Sequence, residues 1–299
     1  MKRILIVDDG RVGHTNQSIA FAKHAGYRYD TVRIRPKYPF SKALSYLLDR
    51  LHIDYPRLFK KTGIRAADYA AVVGAGSATY YLVKVLARRF DAKAIAMMLP
   101  KGFDPQGFAT IFAPQHDNPP AWPNVVPVPA NFAYVEPQEL YRPYKKSIGI
   151  VVGGNNGRFD VSPETLRRVL EQIRTLYAGY EIAVTTSPRT SLELERTVEA
   201  FGFDYEVIYS RNPINPIPDF LFHCERVFLT ADSTSMISEA VSAGYAHVEI
   251  IDFGKPLPGK FGRLVDALEE GGYVRRFDGI KGKANRKIDF SHYAKKAGL

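Results

Sequence analysis

The sequence predicts an α/β protein made of two Rossmann-like, doubly wound domains that face each other across a cleft. Short apolar runs alternate with helical segments between residues 2 and 128, and the same alternation returns between residues 147 and 270. A polar, proline-containing stretch without periodicity, residues 135–146, separates the two series. We therefore expect domains at residues 1–142 and 143–299, with a tail, 277–299, that either crosses back onto the first domain or stays mobile.

The first half opens with an apolar run at Lys2–Val7, which is typical of a parallel strand buried on both faces. A polar turn follows it and leads into a helix that ends near His24. Similar patterns predict strands at residues 29–34, 69–73, 94–99, 110–113 and 125–128, and helices at residues 40–53 and up to residue 89.

The second half is organised around residues 226–244, which predict a buried strand, a hydroxyl-rich turn and a helix. The turn contains Ser233, Thr234 and Ser235, all good helix N-cap types, and Gly244 closes the helix. Other strands are expected at residues 147–152, 181–186, 205–210 and 248–252, and the longer helices at residues 163–177 and 261–270.

The composition, 45% hydrophobic and 24% charged residues in a chain of 299, is that of an ordinary globular protein. The single cysteine, Cys224, excludes a disulfide framework and is expected to be a small buried hydrophobe. No apolar run approaches the ~20 residues of a membrane span, and no signal peptide precedes the first strand. These features predict a cytoplasmic protein.

Positive charge is concentrated in the first domain, where residues 1–142 hold 20 Lys and Arg against 11 Asp and Glu. Within it, residues 33–65 interleave basic and aromatic side chains around a helix with four leucines on one face. Those leucines either pack in the core or rest on a lipid headgroup layer, and the segment can equally bind an anionic acceptor. Nucleic-acid binding is not expected, because no recognition module is present.

Polar loops follow the strands of the second half, and ligands of doubly wound sheets gather beyond the carboxyl ends of the strands. Small and hydroxyl residues with one arginine suit a diphosphate that carries a nucleoside, and a helix N-terminus favours anions. Glu239, on the predicted helix, is placed to accept hydrogen bonds from a sugar diol. The candidates for binding a nucleotide sugar are Gly154, Asn155, Asn156, Ser187, Arg189, Ser233, Thr234, Ser235 and Glu239.

Structural alternatives exist for these residues, since Arg189 also suits a surface position and Glu239 suits a solvated face of a capped helix. No Asp-x-Asp pair is present, so the sequence predicts neither a divalent metal nor another cofactor; the nucleotide sugar is a substrate. No complete Gly-x-x-x-x-Gly-Lys-Ser/Thr loop is present either, which argues against an ordinary NTPase.

His14 is the best candidate for a general base, because it lies where the first strand turns into the first helix. Asp8 and Asp9 are candidates for holding His14 or for acting as the base themselves, and Asp9 is the second catalytic candidate. The alternative is a histidine that caps or packs locally. His116, in a later loop, is a weaker candidate.

Several motifs resemble those of known families. Gly13-His14 after the first strand, a glycine-rich turn at Gly74 and a hydroxyl-rich turn leading to Glu239 resemble the GT-B glycosyltransferases. Among them, the layout is most similar to the lipid-linked N-acetylglucosaminyltransferase of peptidoglycan synthesis. Four segments, residues 9–17, 153–159, 186–190 and 230–240, resemble the mitochondrial-fission (elongated-mitochondria) family, and the chain looks like a bacterial member.

The resemblance implies a GT-B fold, with a nucleotide-sugar donor in the C-terminal domain and an acceptor on the N-terminal domain. It implies that Glu239 binds the donor ribose, that Ser233–Ser235 face the diphosphate and that His14 lies near the reacting centre. The chain departs from the glycosyltransferase pattern at Asp232, which stands where a basic or neutral residue is usual. The family name refers to the recruitment of a fission machine in plants and implies no chemistry.

From residues and resemblance together, we expect a metal-independent, inverting glycosyltransferase that moves a sugar from a nucleotide-diphosphate donor to a lipid-linked or other anionic acceptor. It is expected in the cytoplasm, with peripheral contact to the inner membrane face through residues 33–65. Two alternatives remain: a nucleotide-sugar epimerase of the same fold, and a non-catalytic scaffold that recruits partners at a membrane.

Overall fold

The computed structural model describes residues 2–64, 67–154, 160–254 and 256–299, which form two compact units. Unit 1 comprises residues 1–134 with 289–299, and unit 2 comprises residues 135–288. The division therefore lies earlier in the chain than residue 142, for a physical reason. The buried carboxylate of Asp219 in unit 2 accepts hydrogen bonds of 2.6–3.3 Å from the backbone N–H groups of residues 138–141.

Unit 1 is a mainly parallel α/β layer structure. Its strands are β1 (Arg3–Asp8), β2 (Tyr29–Pro36), β3 (Phe59–Thr62), β4 (Tyr69–Gly74), β5 (Lys93–Ala96), β6 (Thr110–Pro114) and β7 (Val125–Val128). Its helices are α1 (Val12–His24), α2 (Ser41–Arg50) and α3 (Tyr80–Arg89). Among the described residues the strand order is β3-β2-β1-β4-β5-β6-β7, and only β3 runs antiparallel to its neighbour.

Unit 2 repeats this architecture with every described strand pair parallel. Its strands are β8 (Ser147–Val152), β9 (Glu181–Thr186), β10 (Tyr205–Val207), β11 (Arg226–Thr230), β12 (His247–Ile251) and β13 (Arg275–Arg276). Its helices are α4 (Pro163–Leu176), α5 (Leu192–Glu199), α6 (Ile217–His223), α7 (Thr234–Ser242) and α8 (Gly259–Glu270). The order β10-β9-β8-β11-β12-β13 is that of a dinucleotide-binding Rossmann sheet.

The predicted fold class, α/β with two Rossmann-like doubly wound domains, is confirmed by these two sheets. The strands that the sequence did not predict are β3 and β13. Strand β3 is a four-residue edge strand with two lysines, so it lacks the apolar run that marks the buried strands. Strand β13 has only two residues, too few to show any periodicity.

A last helix, α9 (Phe290–Lys295), belongs to unit 1 although it follows all of unit 2 in the chain. Asp289 caps it by accepting from the backbone N–H of Ser291 at 3.0 Å. Phe290 is fully buried, with its ring centroid 4.7 Å from that of Phe132 and 5.6 Å from that of His24. The predicted tail 277–299 therefore joins unit 1 only from residue 289 onward.

Helix α2 buries several polar residues and leaves some apolar residues exposed. Ser41, Ser45 and Asp49, spaced four residues apart, form its buried face. Asp49 is almost completely buried and is paired there with the equally buried Lys84. Of the four leucines, Leu44 and Leu48 are partly buried against the core, whereas Leu47 and Leu51 are 53% and 56% exposed. Packing in the core therefore applies to Leu44 and Leu48, and lipid contact by Leu47 and Leu51 stays a prediction.

Two simpler expectations concern Cys224 and membrane-spanning helices. Cys224 is 3% exposed and burial raises the pKa of its thiol to about 12, as suits an inert core residue. No helix within the described ranges is long and apolar enough to cross a bilayer.

Candidate functional site

The topological switch point of unit 2 lies between β8 and β11, because α4 leads from β8 to one side of the sheet and α7 leads from β11 to the other. The loops after these strands are joined by hydrogen bonds. The N–H of Gly153 donates to Thr230 Oγ1 at 2.7 Å, and Thr230 Oγ1 donates to Asp232 Oδ1 at 2.7 Å. A Cβ on Gly153 would collide with the Asp232 carboxylate, so this turn needs a glycine.

Asp232 is the centre of this cluster. Its side chain is 0% exposed, and its Oδ2 accepts from Arg189 Nη2 at 2.8 Å and from the N–H of Gly154 at 3.4 Å. Burial raises the pKa of Asp232, while the hydrogen bond from Thr230 and the charge of Arg189 act in the opposite direction. The negative charge that departs from the glycosyltransferase pattern is thus compensated by an arginine.

The loop after β9 completes the cluster. Thr190 Oγ1 lies 2.9 Å from the carbonyl oxygen of Val152 and 3.1 Å from that of Gly153, which ties this loop to the end of β8. A Cβ on Gly154 would collide with the carbonyl group of Arg189, so the close approach requires a glycine. Ser187 supports the loop, since its Oγ accepts from the Arg189 N–H at 3.2 Å. The side chain of Arg189 remains half exposed.

Helix α7 begins beside Asp232. Ser233 is its N-cap and accepts from the Met236 N–H at 3.4 Å. Ser235 and Glu239, four residues apart, lie on one face of the helix. Glu239 is half buried, and burial alone raises the pKa of its carboxyl group. Among the residues that the structure describes, no hydrogen bond or ion pair to the Glu239 side chain is found, so its desolvation is uncompensated.

The predicted nucleotide-sugar residues divide into three groups. Gly154 and Arg189 meet at Asp232, with Ser187 supporting them, and Ser233–Ser235 with Glu239 form the first turns of α7. Asn155 and Asn156 lie outside the described residues. Sequence reasoning missed Thr230, which links both loops; a hydroxyl at the end of an otherwise apolar strand was the available signal. The binding role of all these residues stays a prediction.

Unit 1 has its own switch point between β1 and β4, and His14 lies there. The loop after β1 leads into α1, which places His14 in the first turn of that helix. Its Nδ1 lies 3.0 Å from Asp9 Oδ2, and the two side chains are 20% and 6% exposed. The imidazole occupies the space beside Gly76 in the turn after β4, where a Cβ would collide with the ring. Asp9 and Gly76 together fix the ring.

Asp8 has a different set of partners from Asp9. Its carboxylate accepts from the Thr15 hydroxyl and an Arg33 guanidinium N–H at 2.6 Å, and from the Gly10 N–H at 2.7 Å. These bonds outweigh the effect of burial and lower the pKa of Asp8. Of the two aspartates proposed to hold His14, the structure therefore pairs the histidine with Asp9. His116 is buried in a short 3₁₀ turn after β6.

A metal site needs several ligating side chains close together. Within residues 2–64, 67–154, 160–254 and 256–299, no group of three or more His, Cys, Asp or Glu side chains has the arrangement to hold a metal ion. The hydrogen-bond donors at the two switch points are hydroxyls, backbone N–H groups, guanidinium groups and an imidazole.

Comparisons with solved structures return alignments over nearly the whole chain. A UDP-glucosyltransferase from Polygonum tinctorium is 13% identical and covers 99% of this chain and 89% of its own, with a TM-score of 0.48. The MnaA-UDP co-structure from S. aureus is also 13% identical and covers 99% of this chain and 87% of its own, with a TM-score of 0.46.

Sequence comparison identifies a relative and a family. Uncharacterized protein RP120 of Rickettsia prowazekii (strain Madrid E) is 23% identical, and the alignment covers 81% of each chain. The family model described as mitochondrial fission ELM1 matches residues 12–295, which include His14 and the switch point of unit 2. The resemblance noted in the four motifs is thereby confirmed. The chain belongs to the mitochondrial fission ELM1 family.

Proposed function

We propose that the protein is a metal-independent glycosyltransferase that transfers a sugar from a nucleoside-diphosphate donor to an acceptor at or near the inner face of the membrane. The observation that carries this proposal is the Glu239 carboxylate of α7, which is desolvated and has no partner among the described residues. A carboxylate of this kind gains the most from a ligand that brings hydroxyl donors, and a ribose diol does so.

The remaining polar groups of the unit 2 switch point suit the diphosphate. The Arg189 side chain stays half exposed beside Asp232, and the guanidinium N–H groups that do not bond Asp232 can donate to phosphate oxygens. The hydroxyls of Ser233, Thr234 and Ser235 lie at the N-terminus of α7, where the helix dipole favours an anion. Donor diphosphate and donor ribose would thus contact the first two turns of one helix.

In unit 1, Asp9 and His14 supply the base. Asp9 bonded to Nδ1 favours the tautomer with its proton on Nδ1, which leaves the lone pair on Nε2. That nitrogen takes the proton of the acceptor hydroxyl as its oxygen bonds to the anomeric carbon of the sugar. The bond from that carbon to the diphosphate oxygen breaks, and the nucleoside diphosphate leaves with both electrons. Attack from the opposite side inverts the anomeric centre.

The surface around α2 supports the membrane part of the proposal. Phe40, Leu47, Leu51 and Ile53 are 47–57% exposed, while the polar face of the helix is turned into the core. The neighbouring exposed cations are Arg35, Lys37, Lys42, Arg50, Arg57 and Lys60. Apolar side chains surrounded by positive charge are the combination that binds the headgroup region of an anionic bilayer.

The donor assignment is tested by titrating the protein with UDP, TDP, GDP and ADP and with their glucose conjugates in a thermal-shift and calorimetric screen. We expect one base series to bind and to raise the apparent stability by about 2.7 kcal/mol at a hundredfold excess over its Kd. Glu239→Ala should weaken that binding at least tenfold. The matched control is Glu270→Ala, which removes an exposed carboxylate at the far end of α8. Unchanged affinity in Glu239→Ala contradicts the donor assignment.

Membrane contact is tested by sedimentation with vesicles of phosphatidylcholine alone or mixed with phosphatidylglycerol. We expect binding to the anionic vesicles that falls at high salt and is lost in Leu47→Glu/Leu51→Glu. Leu192→Glu is the control, because Leu192 is a 63% exposed leucine of unit 2. Equal binding by the double variant and the wild type would rule out α2 as the contact.

A second candidate function is a scaffold without catalysis, and one observation favours it. The Asp232 carboxylate already accepts from Arg189 and from the Gly154 N–H, so part of the anion-binding capacity is used internally. If no nucleotide of the screen binds, the scaffold is the better interpretation. An epimerase would convert the bound nucleotide sugar in the absence of any acceptor, which product analysis by NMR detects.

A further inference from the structure

The donor site of unit 2 contains two opposite charges that cancel. Asp232 and Arg189 form an ion pair of 2.8 Å, in which the aspartate side chain is 0% and the arginine side chain 50% exposed. A phosphate site normally gains affinity from an uncompensated cation. Here the arginine is compensated before any ligand arrives.

The described residues around Asp232 hold its carboxylate in place. Thr230 and Gly154 donate to its two oxygens, and the absent side chain of Gly153 provides the space it fills. Its charge therefore stays in place when a ligand binds. Arg189, by contrast, retains N–H donors on its exposed side, so the pair presents a positive edge to the ligand with a negative charge behind it.

The reactant and the product of sugar transfer differ in charge at this site. A nucleotide sugar carries two negative charges on its diphosphate, whereas the free nucleoside diphosphate carries about one more above pH ~7, since its terminal phosphate ionises near pH 6. The extra charge interacts unfavourably with Asp232. Across ~10 Å at an effective dielectric constant near 20, a unit charge changes affinity by on the order of tenfold.

We infer that Asp232 is a specificity-determining residue of the donor site, which positions Arg189 and selects the nucleotide sugar over the more highly charged nucleoside diphosphate. The site would then release its product instead of being inhibited by it. This inference rests on the proposed donor-binding function of unit 2 and adds a role for a residue that departs from the glycosyltransferase pattern.

The test measures affinity ratios by calorimetry at pH 8, using UDP, TDP, GDP and ADP with the glucose conjugate of each. For the base that binds, the quantity is the affinity of the nucleoside diphosphate divided by that of its glucose conjugate. Asp232→Asn should raise the ratio about tenfold, because it leaves Arg189 uncompensated. Arg189→Gln should lower it by a similar factor. The double variant should return it close to the wild-type value.

Glu249→Gln is the control, because Glu249 is another buried carboxylate of unit 2, paired with Arg226 and Arg275 away from the switch point. It changes the net charge equally and should leave the ratio unchanged. A purely structural role for Asp232 would lower both affinities together and keep the ratio constant, which overturns this inference alone. Absence of nucleotide binding in the folded wild type overturns the proposed function as well. If Asp232→Asn does not fold, Arg189→Gln decides on its own.

Discussion

The two units have the same kind of switch point and fill it with different chemistry. In unit 1 a carboxylate, Asp9, holds an imidazole, and in unit 2 a carboxylate, Asp232, holds a guanidinium. In both, the absent side chain of a glycine from the neighbouring loop provides the necessary space: Gly76 beside His14 and Gly153 beside Asp232. Both switch points therefore need a glycine that leaves room for a side chain of the neighbouring loop.

The difference lies in what each pair can do with a proton. Imidazole gains and loses a proton near neutral pH, whereas guanidinium keeps its charge throughout the accessible range. The pair in unit 1 is thus suited to move a proton, and the pair in unit 2 is suited to hold a permanent charge in place. Similar topology consequently does not imply similar chemistry.

The largest expected effect concerns the Asp9–His14 pair. His14→Ala should reduce kcat for sugar transfer by about 10²–10⁴-fold, the usual contribution of a general base, and should leave donor affinity unchanged. The measurement is product formation with the donor selected in the binding screen. His292→Ala, an exposed histidine of α9, is the matched control. A His14→Ala enzyme with full kcat would remove the functional contrast between the units.

A smaller effect is expected from replacing Gly153 or Gly76 by alanine. In Gly153→Ala the new methyl group meets a carboxylate fixed by three hydrogen-bond donors, so unit 2 should lose about 1–3 kcal/mol of unfolding free energy. Gly76→Ala meets the end of a rotatable histidine side chain, although its φ of +83° adds backbone strain.

We therefore expect Gly76→Ala to reduce kcat more than Gly153→Ala does, by displacing the His14 ring. Calorimetry of unfolding and steady-state kinetics provide the two measurements. Gly13→Ala is the control for stability, because nothing lies within 4 Å of a Cβ at that position. Equal losses in both measurements for both variants would show that the two spaces serve the same purpose.

The smallest effect is on the pH dependence of stability. The folded-state pKa of Asp8 is lowered, so Asp8 stabilises unit 1 above about pH 4 and this contribution is lost as the pH falls through the folded pKa. The pKa of Asp232 is raised, so its charged form costs stability at neutral pH. That cost is relieved as the pH falls through the folded pKa toward 4.

Acid titration followed by calorimetry should therefore show opposite contributions from the two aspartates. Asp8→Asn should make unit 1 less sensitive to pH below about 4, and Asp232→Asn should flatten the stability of unit 2 between neutral pH and about 4. Changes of the same sign in both variants would contradict the distinction.

Much of the fold could be predicted because buried parallel strands and helices leave strong patterns. Strands β7, β8 and β9 have the predicted bounds, since each has an apolar or β-branched run bounded by turn residues. The strand ends also indicated which loops carry polar groups. The family resemblance was likewise visible from four short motifs and is confirmed over residues 12–295.

The contacts within the candidate site could not be predicted, because they depend on three-dimensional neighbours. From the sequence, Asp232 was interpreted as a negative charge that is unfavourable beside a diphosphate. In the structure, the loop after β9 places Arg189 Nη2 2.8 Å from Asp232 Oδ2. The burial of Ser41, Ser45 and Asp49 in α2 could not be predicted for a similar reason. Its buried side depends on Lys84, a lysine of α3 that pairs with Asp49 inside the core, and no periodicity of α2 itself reveals that partner.

Because α9 belongs to unit 1, that domain is discontinuous and unit 2 is inserted into it. During synthesis the ribosome completes every residue of the inserted domain before it makes Phe290, so the domain that is started first is completed last. A nascent chain stalled before residue 289 would leave Phe132 and His24 without their covering ring and would offer an apolar surface to chaperones.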